Sequence, residues 1–465
     1  MTEAVEIQID VSETSSEIAE VNQVGLEKTT DEAGQFASLK KVGKKANRSM
    51  EAGRILPTGI CLSKAAIGAG VLSMAAHSAQ VGLLYQFIGL VVGGILNIVS
   101  IRMIAQASVT TDRFSFEDIS DELFHPGLAV FTGFINATNA IGSAVAYLIL
   151  CGQIFQVLCG TNDEWRRIFI ILLGVFVCMP LALARHINFM RHLATLSVFA
   201  LLFLVIVVVQ HVAQDGPDDS LTMRNLWLGQ ESISLFAYIN ALNNVIFAYN
   251  NSANVPQLTG ETHPVPNTRR MGWAAALATF VCFLLYFLVS LLGVLAFGVG
   301  ANQKDTLILD FEVDRKSPLV ILALAGVMFS ILTCFQFHIF PIRQFAAYLT
   351  RKARGRQAND ESDDRTCCGK PLTRLFDISA ALVSVAMTIL IAVAVTKLMT
   401  VLDFIGAFAA AYLAYVIPPL MLIQIRRLQK GGDFSWLSME VGFCVAMHIL
   451  GLFFFVFGTY SAVHG

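Results

Sequence analysis

In the middle of its first long apolar run, the chain reads LSKAAIGAGVL over residues 62–72. Gly68 and Gly70 weaken an α-helix here, because glycine loses more conformational entropy on folding than any other residue. The sixth apolar run contains NNS over residues 250–252, whose side chains compete with the helix for backbone hydrogen bonds. Within a bilayer, irregular backbone is tolerated only where it lines a protein cavity. The two stretches therefore predict interrupted membrane helices that face an internal site.

Apolar runs of membrane-spanning length make up most of the chain. Of its 465 residues, 55% are hydrophobic and only 14% are charged, which excludes a disordered chain, a disulfide scaffold and a nucleic-acid binder. The runs cover residues 55–79, 82–108, 127–159, 167–185, 192–213, 232–253, 271–299, 318–349, 374–397, 400–425 and 436–461. Each is long enough for a spanning helix, and the period-2 alternation of a membrane barrel is absent. We predict an all-α integral membrane protein with eleven transmembrane helices.

The distribution of basic residues predicts the orientation. If sides alternate from a cytoplasmic N-terminus, most of the 32 Lys and Arg residues fall in cytoplasmic segments, as the positive-inside rule requires. Residues 1–54 contain no apolar signal-peptide core and begin with an acidic stretch. We expect them to form a disordered cytoplasmic tail. Eleven spans then place Gly465 on the extracellular or lumenal side.

The positions of the two interruptions indicate an inverted repeat. They lie in the first and sixth runs, so the second half of the chain has the opposite orientation in the membrane. Paired broken helices in inverted halves are typical of a transporter's binding site. For Gly68 and Gly70 taken alone, the alternative is close helix packing by small residues. We predict five-helix repeats over residues 55–213 and 232–425, with an eleventh helix over 436–461.

The interrupted stretches supply hydrogen-bonding groups that suit a zwitterion. Freed amides and positive helix ends bind a carboxylate, whereas freed carbonyls bind an ammonium group. An amino acid carries both groups. Polar residues also recur at helical spacing along the third run, where they line the cavity or join helices. The predicted binding residues are Ile67, Gly68, Ala69, Gly70, Val71, Asn136, Asn139, Ser143, Phe247, Ala248, Tyr249, Asn250 and Asn251.

Lys64 is a basic residue inside the first run. It lies ten residues beyond Arg54, which is about 15 Å of helix rise. A cation at that depth costs several kcal/mol unless it is paired or deprotonated. We therefore predict a coupling role for Lys64, together with Ser330 and Thr333 on a polar face of the eighth run. In the alternative, the first span starts near Gly59 and Lys64 reaches the inner membrane surface.

The loop between the second and third runs contains a helix signal. Ser115 begins the sequence SFED, which resembles a capping box, and Phe116, Ile119 and Leu123 then share one helical face. We expect a short amphipathic helix on the inner face of the membrane.

Five of these segments, in order, resemble the amino acid/auxin permease family of secondary transporters, and within it the parasite-type amino acid permeases. The resemblance covers residues 55–461. It implies eleven spans, a leucine-transporter-like five-plus-five inverted repeat with one extra helix, and amino acid transport. The matching segments are LSKAAIGAGVL at 62–72, SFED at 115–118, FAY at 247–249 with Val255-Pro256 and Glu261, FPIR at 340–343, and FIG at 404–406 with IPP at 417–419.

The resemblance also shows a departure at Lys64. Sodium-coupled relatives carry an Asn there, and its amide helps to bind sodium. A lysine ammonium has no acceptor atom and cannot ligate a cation, but its fixed charge can take the ion's place. We therefore expect sodium-independent transport, either proton-coupled or facilitative. Spans 1, 3, 6 and 8 contain no Asp or Glu, which favours neutral substrates. A cationic amino acid permease for arginine, lysine or ornithine is the alternative.

The remaining expectations concern partners and location. The expected partners are an amino acid, protons and membrane lipids, with no nucleic acid. We expect no cofactor, no metal site and no enzymatic activity, because the spans lack a His/Asp/Glu metal cluster and a nucleophile–base pair. The plasma membrane is the expected location, with a lysosomal or vacuolar membrane as the alternative. An alternative function of another class is an amino acid sensor that signals through its cytoplasmic tail.

Overall fold

The structure is a computed structural model. It describes residues 54–183, 187–219, 221–262, 264–299, 306–311, 317–354, 366–367, 370–395, 397–430, 435 and 438–464. Of the tail expected over residues 1–54, only Arg54 belongs to this part.

The first half of the described chain is helical. A π-helical turn, Gly174–Cys178, joins the helices Asp163–Leu173 and Met179–Leu183. The helices are α1 (Ile55–Ala66), α2 (Gly70–Val81), α3 (Leu83–Thr111), α4 (Phe116–Leu123), α5 (Pro126–Cys159), α6 (Asp163–Leu173), α7 (Met179–Leu183) and α8 (Ile187–Asp215).

The second half adds eleven described helices and one short pair of strands. The helices are α9 (Met223–Leu228), α10 (Leu235–Ala248), α11 (Val255–Gly260), α12 (Thr268–Phe297), α13 (Leu307–Asp310), α14 (Pro318–Ala353), α15 (Leu372–Ala394), α16 (Leu398–Ile405), α17 (Ile417–Lys430), α18 (Met439–Phe453) and α19 (Thr459–His464). A 3-10 turn covers Ser252–Asn254, and π-helical turns cover Gly406–Ala410, Tyr412–Val416 and Phe454–Gly458. Strands β1 (Thr366–Cys367) and β2 (Lys370–Pro371) pair antiparallel.

The predicted membrane architecture is present, but the predicted number of eleven spans is not confirmed. Among the described residues, seven continuous helical segments are long and apolar enough to cross a bilayer, and the bent pair α1–α2 makes an eighth. The seven are Leu83–Thr111, Pro126–Cys159, Asp163–Leu183, Thr268–Phe297, Pro318–Ala353, Leu398–Lys430 and Met439–His464. In the fifth and ninth runs, the parts of α8 and α15 whose side chains are described, Phe199–Gln214 and Ile378–Ala394, are shorter than a span. In the sixth run, α10 ends at Ala248, and α11 begins only at Val255, beyond the predicted end of the run, so neither helix reaches spanning length.

The helices pack in two groups that meet around the interruptions. In the first group, α12 packs along α1, α2 and α3, and α10 packs along α2. In the second group, α14 packs along α5 and α8, and α15 packs against α5 and α14. Members of the first group come from the first, second, sixth and seventh runs. This places both interrupted segments in one group, facing α5 of the other.

The expected amphipathic helix is α4. Its N-cap is Ser115, whose Oγ accepts a hydrogen bond from the Asp118 main-chain N–H at 3.1 Å. Its apolar face, Phe116, Ile119 and Leu123, is buried. Two ion pairs hold it against the end of α14: Arg351 with Asp118 and Lys352 with Asp121, each at 2.8 Å.

Glu117 of α4 is fully buried, which makes the stability of the protein depend on pH. The Glu117 side chain and the Phe345 ring close over Gly133, where a Cβ would lie 2.8 Å from Glu117 Cγ. Burial raises the pKa of Glu117 from its ordinary value of 4.5 to about 7, and the neighbouring Asp118 adds to the rise. At a pH between 4.5 and about 7, the folded chain keeps a proton on Glu117 that the unfolded chain releases. The difference corresponds to roughly 3 kcal/mol of stability that is present at low pH and lost as the pH rises.

Glu117→Gln should therefore flatten the pH dependence of unfolding. Glutamine is neutral throughout, so we expect the melting temperature of the purified variant to change less than that of the parent between about pH 5 and 8, and to exceed it at pH 8. Glu122→Gln is the control, because the Glu122 side chain is 53% exposed and its replacement should leave the pH dependence as it is. Parallel melting curves for the parent and Glu117→Gln would contradict this account.

Candidate functional site

The first interruption lies between α1 and α2, whose axes bend by 59°. Helix α1 ends at Ala66, and Ile67 is extended, with φ −72° and ψ 95°. The Ile67 N–H makes the last helical hydrogen bond of α1, to the Ser63 carbonyl at 2.7 Å. Helix α2 starts at Gly70. The main chain of Gly68, Ala69 and Gly70 thus lies at the N-terminus of α2, where amide groups lack intrahelical partners.

The second interruption lies between α10 and α11. Helix α10 ends at Ala248, and helical structure resumes only at the 3-10 turn beginning at Ser252. Local main-chain bonds close the gap, from the Asn250 N–H to the Phe247 carbonyl at 2.9 Å and from the Asn251 N–H to the Tyr249 carbonyl at 2.8 Å. Both interruptions therefore occur at the residues that the sequence predicts.

The two interruptions touch each other. A Cβ on Gly70 would lie 3.0 Å from Cδ1 of Phe247 and 3.2 Å from Cα of Ala248, which is tighter than most side-chain contacts, so glycine favours this close approach. A Cβ on Gly68 would overlap the hydroxyl of Tyr147 on α5. Next to the contact, the Ser73 hydroxyl donates to the Asn244 side-chain oxygen at 2.9 Å. Together, these contacts bring the predicted residues of the first, third and sixth runs to one place.

The other predicted residues differ in how close they lie to the interruptions. Asn139 and Asn250 exchange side-chain hydrogen bonds of 2.6 and 3.3 Å across α5 and the second interruption. Asn136 lies one turn earlier on α5, beside Glu117 of α4, rather than at the interruptions. Ile67, Ala69 and Val71 are buried and offer main-chain groups, as do Phe247, Ala248 and Tyr249.

Several buried polar atoms around the interruptions lack a hydrogen-bond partner. Within the residues that the structure describes, these include the Ser143 hydroxyl, the Asn251 side-chain oxygen and the Ser252 hydroxyl. Buried polar groups are normally paired with protein or water, so unpaired ones mark places where a polar solute or water binds. By contrast, Tyr286 already donates to the Ala248 carbonyl at 2.7 Å, and Tyr249 donates to the Leu90 carbonyl at 3.2 Å. The polar lining of the site is therefore only partly satisfied by the protein itself.

The three predicted coupling residues lie together on the α1 side of the first interruption. The Lys64 ammonium donates to the main-chain oxygen of Ser330 at 2.7 Å and to its hydroxyl at 2.9 Å. The Thr333 hydroxyl donates to the same main-chain oxygen at 2.7 Å. Helix α1 begins at Ile55 and Lys64 is 0% exposed, so the alternative in which Lys64 reaches the membrane surface is wrong. Lys64 instead joins α1 to α14.

The structure also brings together one pair of ionisable residues that the sequence does not predict. His77 of α2 and Asp403 of α16 are buried, with Nε2 and Oδ1 3.2 Å apart. Each lies inside an apolar run, and an ionisable residue in such a run is itself a functional signal. Nothing in the sequence pairs them, because the contact joins the first and tenth runs.

Comparison with known proteins identifies the family. A family model described as "Transmembrane amino acid transporter protein" matches residues 53–464. The chain belongs to this family. The resemblance to the amino acid/auxin permeases is thereby confirmed, and the protein is a transporter rather than an enzyme.

Two curated relatives of this amino acid transporter family member match over most of its length. Sodium-coupled neutral amino acid transporter 7 of Xenopus laevis is 24% identical over 451 residues, which are 93% of this chain and 96% of the relative. Vacuolar amino acid transporter 5 of Schizosaccharomyces pombe is 23% identical over 402 residues, which are 84% of this chain and 90% of the relative. Both names describe amino acid transporters, in agreement with the family.

A solved structure supports the fold. The crystal structure of MhsT in complex with L-phenylalanine matches with a TM-score of 0.55 at 12% identity, over 88% of this chain and 98% of that chain. The likeness is one of fold, and it agrees with the leucine-transporter-like arrangement that the family resemblance implies. The protein is thus a multi-span helical membrane protein of an amino acid transporter family.

Proposed function

We propose that this transporter moves L-amino acids across a membrane by secondary-active transport with alternating access. The observation that carries the proposal is the contact between two helix interruptions, with buried polar atoms of Ser143, Asn251 and Ser252 left without a described partner beside it. In this proposal the chain has eleven spans in a five-plus-five inverted repeat, with a cytoplasmic N-terminus. The group containing α1, α2, α3, α10 and α12 rocks against the group containing α5, α8, α14 and α15.

The interruptions suit the two charged ends of the substrate. The amides of Gly68, Ala69 and Gly70 lie at the N-terminus of the twelve-residue helix α2, where the helix dipole favours a carboxylate. The carbonyls at the end of α10, from Phe247 to Asn250, suit the substrate's ammonium group. Helices α1, α2, α5, α10 and α14 contain no Asp or Glu, which favours neutral side chains. The printed name of the Xenopus laevis relative, a neutral amino acid transporter, supports the same choice.

The substrate class is tested by uptake of single labelled amino acids. We expect proteoliposomes to take up L-glutamine, L-leucine or L-alanine in preference to L-arginine, L-lysine and L-ornithine. Preference for the second set would favour the cationic alternative.

The expected location is the plasma membrane, and the printed name of the Schizosaccharomyces pombe relative supports the vacuolar alternative.

Transport is expected to be independent of sodium. The buried Lys64 ammonium lies between α1 and α14 with two oxygen partners on Ser330, so its own charge takes the place of a coupling cation. Uptake of a labelled mixture of L-amino acids should remain within about twofold when sodium is replaced by N-methyl-D-glucamine, since the Lys64 side chain has no acceptor atom that could bind sodium. Vesicles without protein give the background. Loss of uptake without sodium would overturn this part of the proposal while leaving transport itself in place.

A further inference from the structure

We propose that the buried pair His77–Asp403 binds the proton that couples transport. The inference rests on the proposed transport function and deepens it, because it chooses proton coupling over facilitative transport and names the site. The pair belongs to α2 and α16, and neither residue was among the predicted coupling residues.

The pair is close and shielded from solvent. His77 is 1% exposed and Asp403 is 4% exposed. Nε2 of His77 lies 3.2 Å from Oδ1 of Asp403, and Nδ1 of the same ring lies 3.0 Å from the main-chain oxygen of Ser73. Both nitrogens of the imidazole therefore face oxygen atoms.

This arrangement requires an additional proton. A carbonyl oxygen only accepts hydrogen bonds, so Nδ1 must carry a hydrogen to contact Ser73 favourably. A neutral imidazole has a single N–H, which leaves Nε2 with a lone pair facing an ionised Asp403. One more proton, on Nε2 or on Oδ1, removes this repulsion between the two atoms, which lie 3.2 Å apart. The closed pair thus holds one proton more than neutral histidine and ionised aspartate.

Burial of the pair also favours the state with the additional proton. Without the additional proton the pair has a net negative charge away from water, and an uncompensated buried charge costs several kcal/mol. With the proton, the pair is neutral overall. Closing the pair away from water therefore selects the protonated state, and exposing it to water on one side of the membrane permits release. This is the behaviour required of a coupling site.

The surrounding elements provide few competing charges. Helix α2 packs against α3, α9, α10, α12 and α13, and α16 packs against α5, α10 and α19. The tyrosines and cysteines on these elements are Tyr85, Tyr147, Cys151, Cys159, Tyr238, Cys282, Tyr286 and Tyr460. The other ionisable residues on these elements are Arg102, Arg224, Arg269, Arg270, Asp310 and His464.

Most of these charges are occupied or lie elsewhere. Arg224 pairs with Glu231 at 2.7 Å. Arg102 lies beside Gly272 near the start of α12, whereas Gly293, about 30 Å further along that helix, faces α2. Arg269 and Arg270 are also in the first turn of α12, and the His464 ring stacks on Tyr460. Asp310 belongs to α13, and its side chain lies outside the described part.

The pair is connected to the substrate site through one helical turn. Ser73, whose carbonyl contacts His77, has its hydroxyl within hydrogen-bond distance of two acceptors, the Asn244 side-chain oxygen of α10 at 2.9 Å and the Gly70 carbonyl at 3.0 Å. Beyond Asp403, a Cβ on Gly406 would overlap the Asn243 carbonyl of α10. Movement of either interrupted helix therefore moves one side of the pair. Proton binding and substrate binding are linked by the same two segments.

The test uses the full-length protein in egg phosphatidylcholine vesicles. Two rates are measured with a labelled mixture of L-amino acids: exchange at equal pH on both sides, and accumulation driven by an exterior about two pH units more acidic. The variants are His77→Gln, Asp403→Asn and the conservative Asp403→Glu. His448→Gln is the matched control, because its ring contacts the Val416 carbonyl at 2.9 Å as His77 contacts Ser73.

We expect the parent and His448→Gln to accumulate amino acids under the pH gradient. In His77→Gln and Asp403→Asn, accumulation relative to exchange should fall at least about tenfold. Asp403→Glu should keep accumulation, but the external pH at which accumulation is half-maximal should change. Absence of exchange by the parent would refute the proposed transport function itself. Exchange without gradient-driven accumulation in the parent, or full accumulation in both variants, would overturn this inference and leave transport standing. If His77→Gln and Asp403→Asn both fail to fold, Asp403→Glu decides: an unchanged external pH of half-maximal accumulation overturns the inference.

Discussion

Replacing Gly70 with leucine should reduce amino acid uptake to background. Gly70 is where the two interruptions meet, and a Cβ there already lies 3.0 Å from the Phe247 ring and 3.2 Å from Cα of Ala248. A leucine adds three further carbons in the space between α2 and α10. Overpacking of this kind typically costs 1–3 kcal/mol, and here it also separates the main-chain groups that bind the substrate in our proposal. We expect at least about a tenfold loss, with Gly70→Ala intermediate.

The control for this prediction is Gly442→Leu. Gly442 lies in α18, and nothing lies within 4 Å of a Cβ placed on it, so the same substitution is made in a membrane helix without a steric conflict. Uptake is measured in proteoliposomes that contain equal amounts of folded protein, and the melting temperature of each variant is recorded to separate instability from a blocked site. Normal uptake by Gly70→Leu at normal protein levels would remove the two interruptions from the substrate site.

The interruptions are predictable because they arise from local chemistry. Gly68 and Gly70 weaken a helix through backbone entropy, and Asn250 and Asn251 compete for backbone hydrogen bonds, so no tertiary information is required. The amphipathic helix α4 is predictable for the same reason, since its cap and apolar face are written within nine residues. The buried position of Lys64 follows from its distance to the end of the run.

Features that depend on tertiary contacts were not predictable. The contact between His77 and Asp403 joins the first and tenth runs, and the placement of Asn136 beside Glu117 depends on how α4 docks against α5. The π-helical turns, such as Gly406–Ala410, show no pattern in the apolar runs. The span count illustrates the same limit, since hydropathy cannot distinguish a continuous sixth helix from the divided pair α10 and α11.

Replacing Lys64 with alanine should also reduce uptake at least about tenfold. Its ammonium supplies hydrogen bonds to the main-chain and hydroxyl oxygens of Ser330, and bonds from a charged donor contribute about 1.5–3 kcal/mol each. Alanine leaves both oxygens buried without this donor and removes the link between α1 and α14. Lys352→Ala is the control, because Lys352 is a partly exposed lysine that pairs with Asp121 and lies away from the interruptions.

Lys64→Asn separates the role of the charge from that of packing. Asparagine supplies an amide oxygen that can ligate a cation, whereas lysine offers only donors. If the Lys64 ammonium takes the place of a coupling ion, the residual uptake of Lys64→Asn should increase with sodium, while uptake by the parent should not change. The comparison requires initial rates of both proteins in sodium and in N-methyl-D-glucamine. Uptake by Lys64→Ala at the parent's rate would show that the buried ammonium has no part in transport, and the positive charge between α1 and α14 would then need a purely structural explanation.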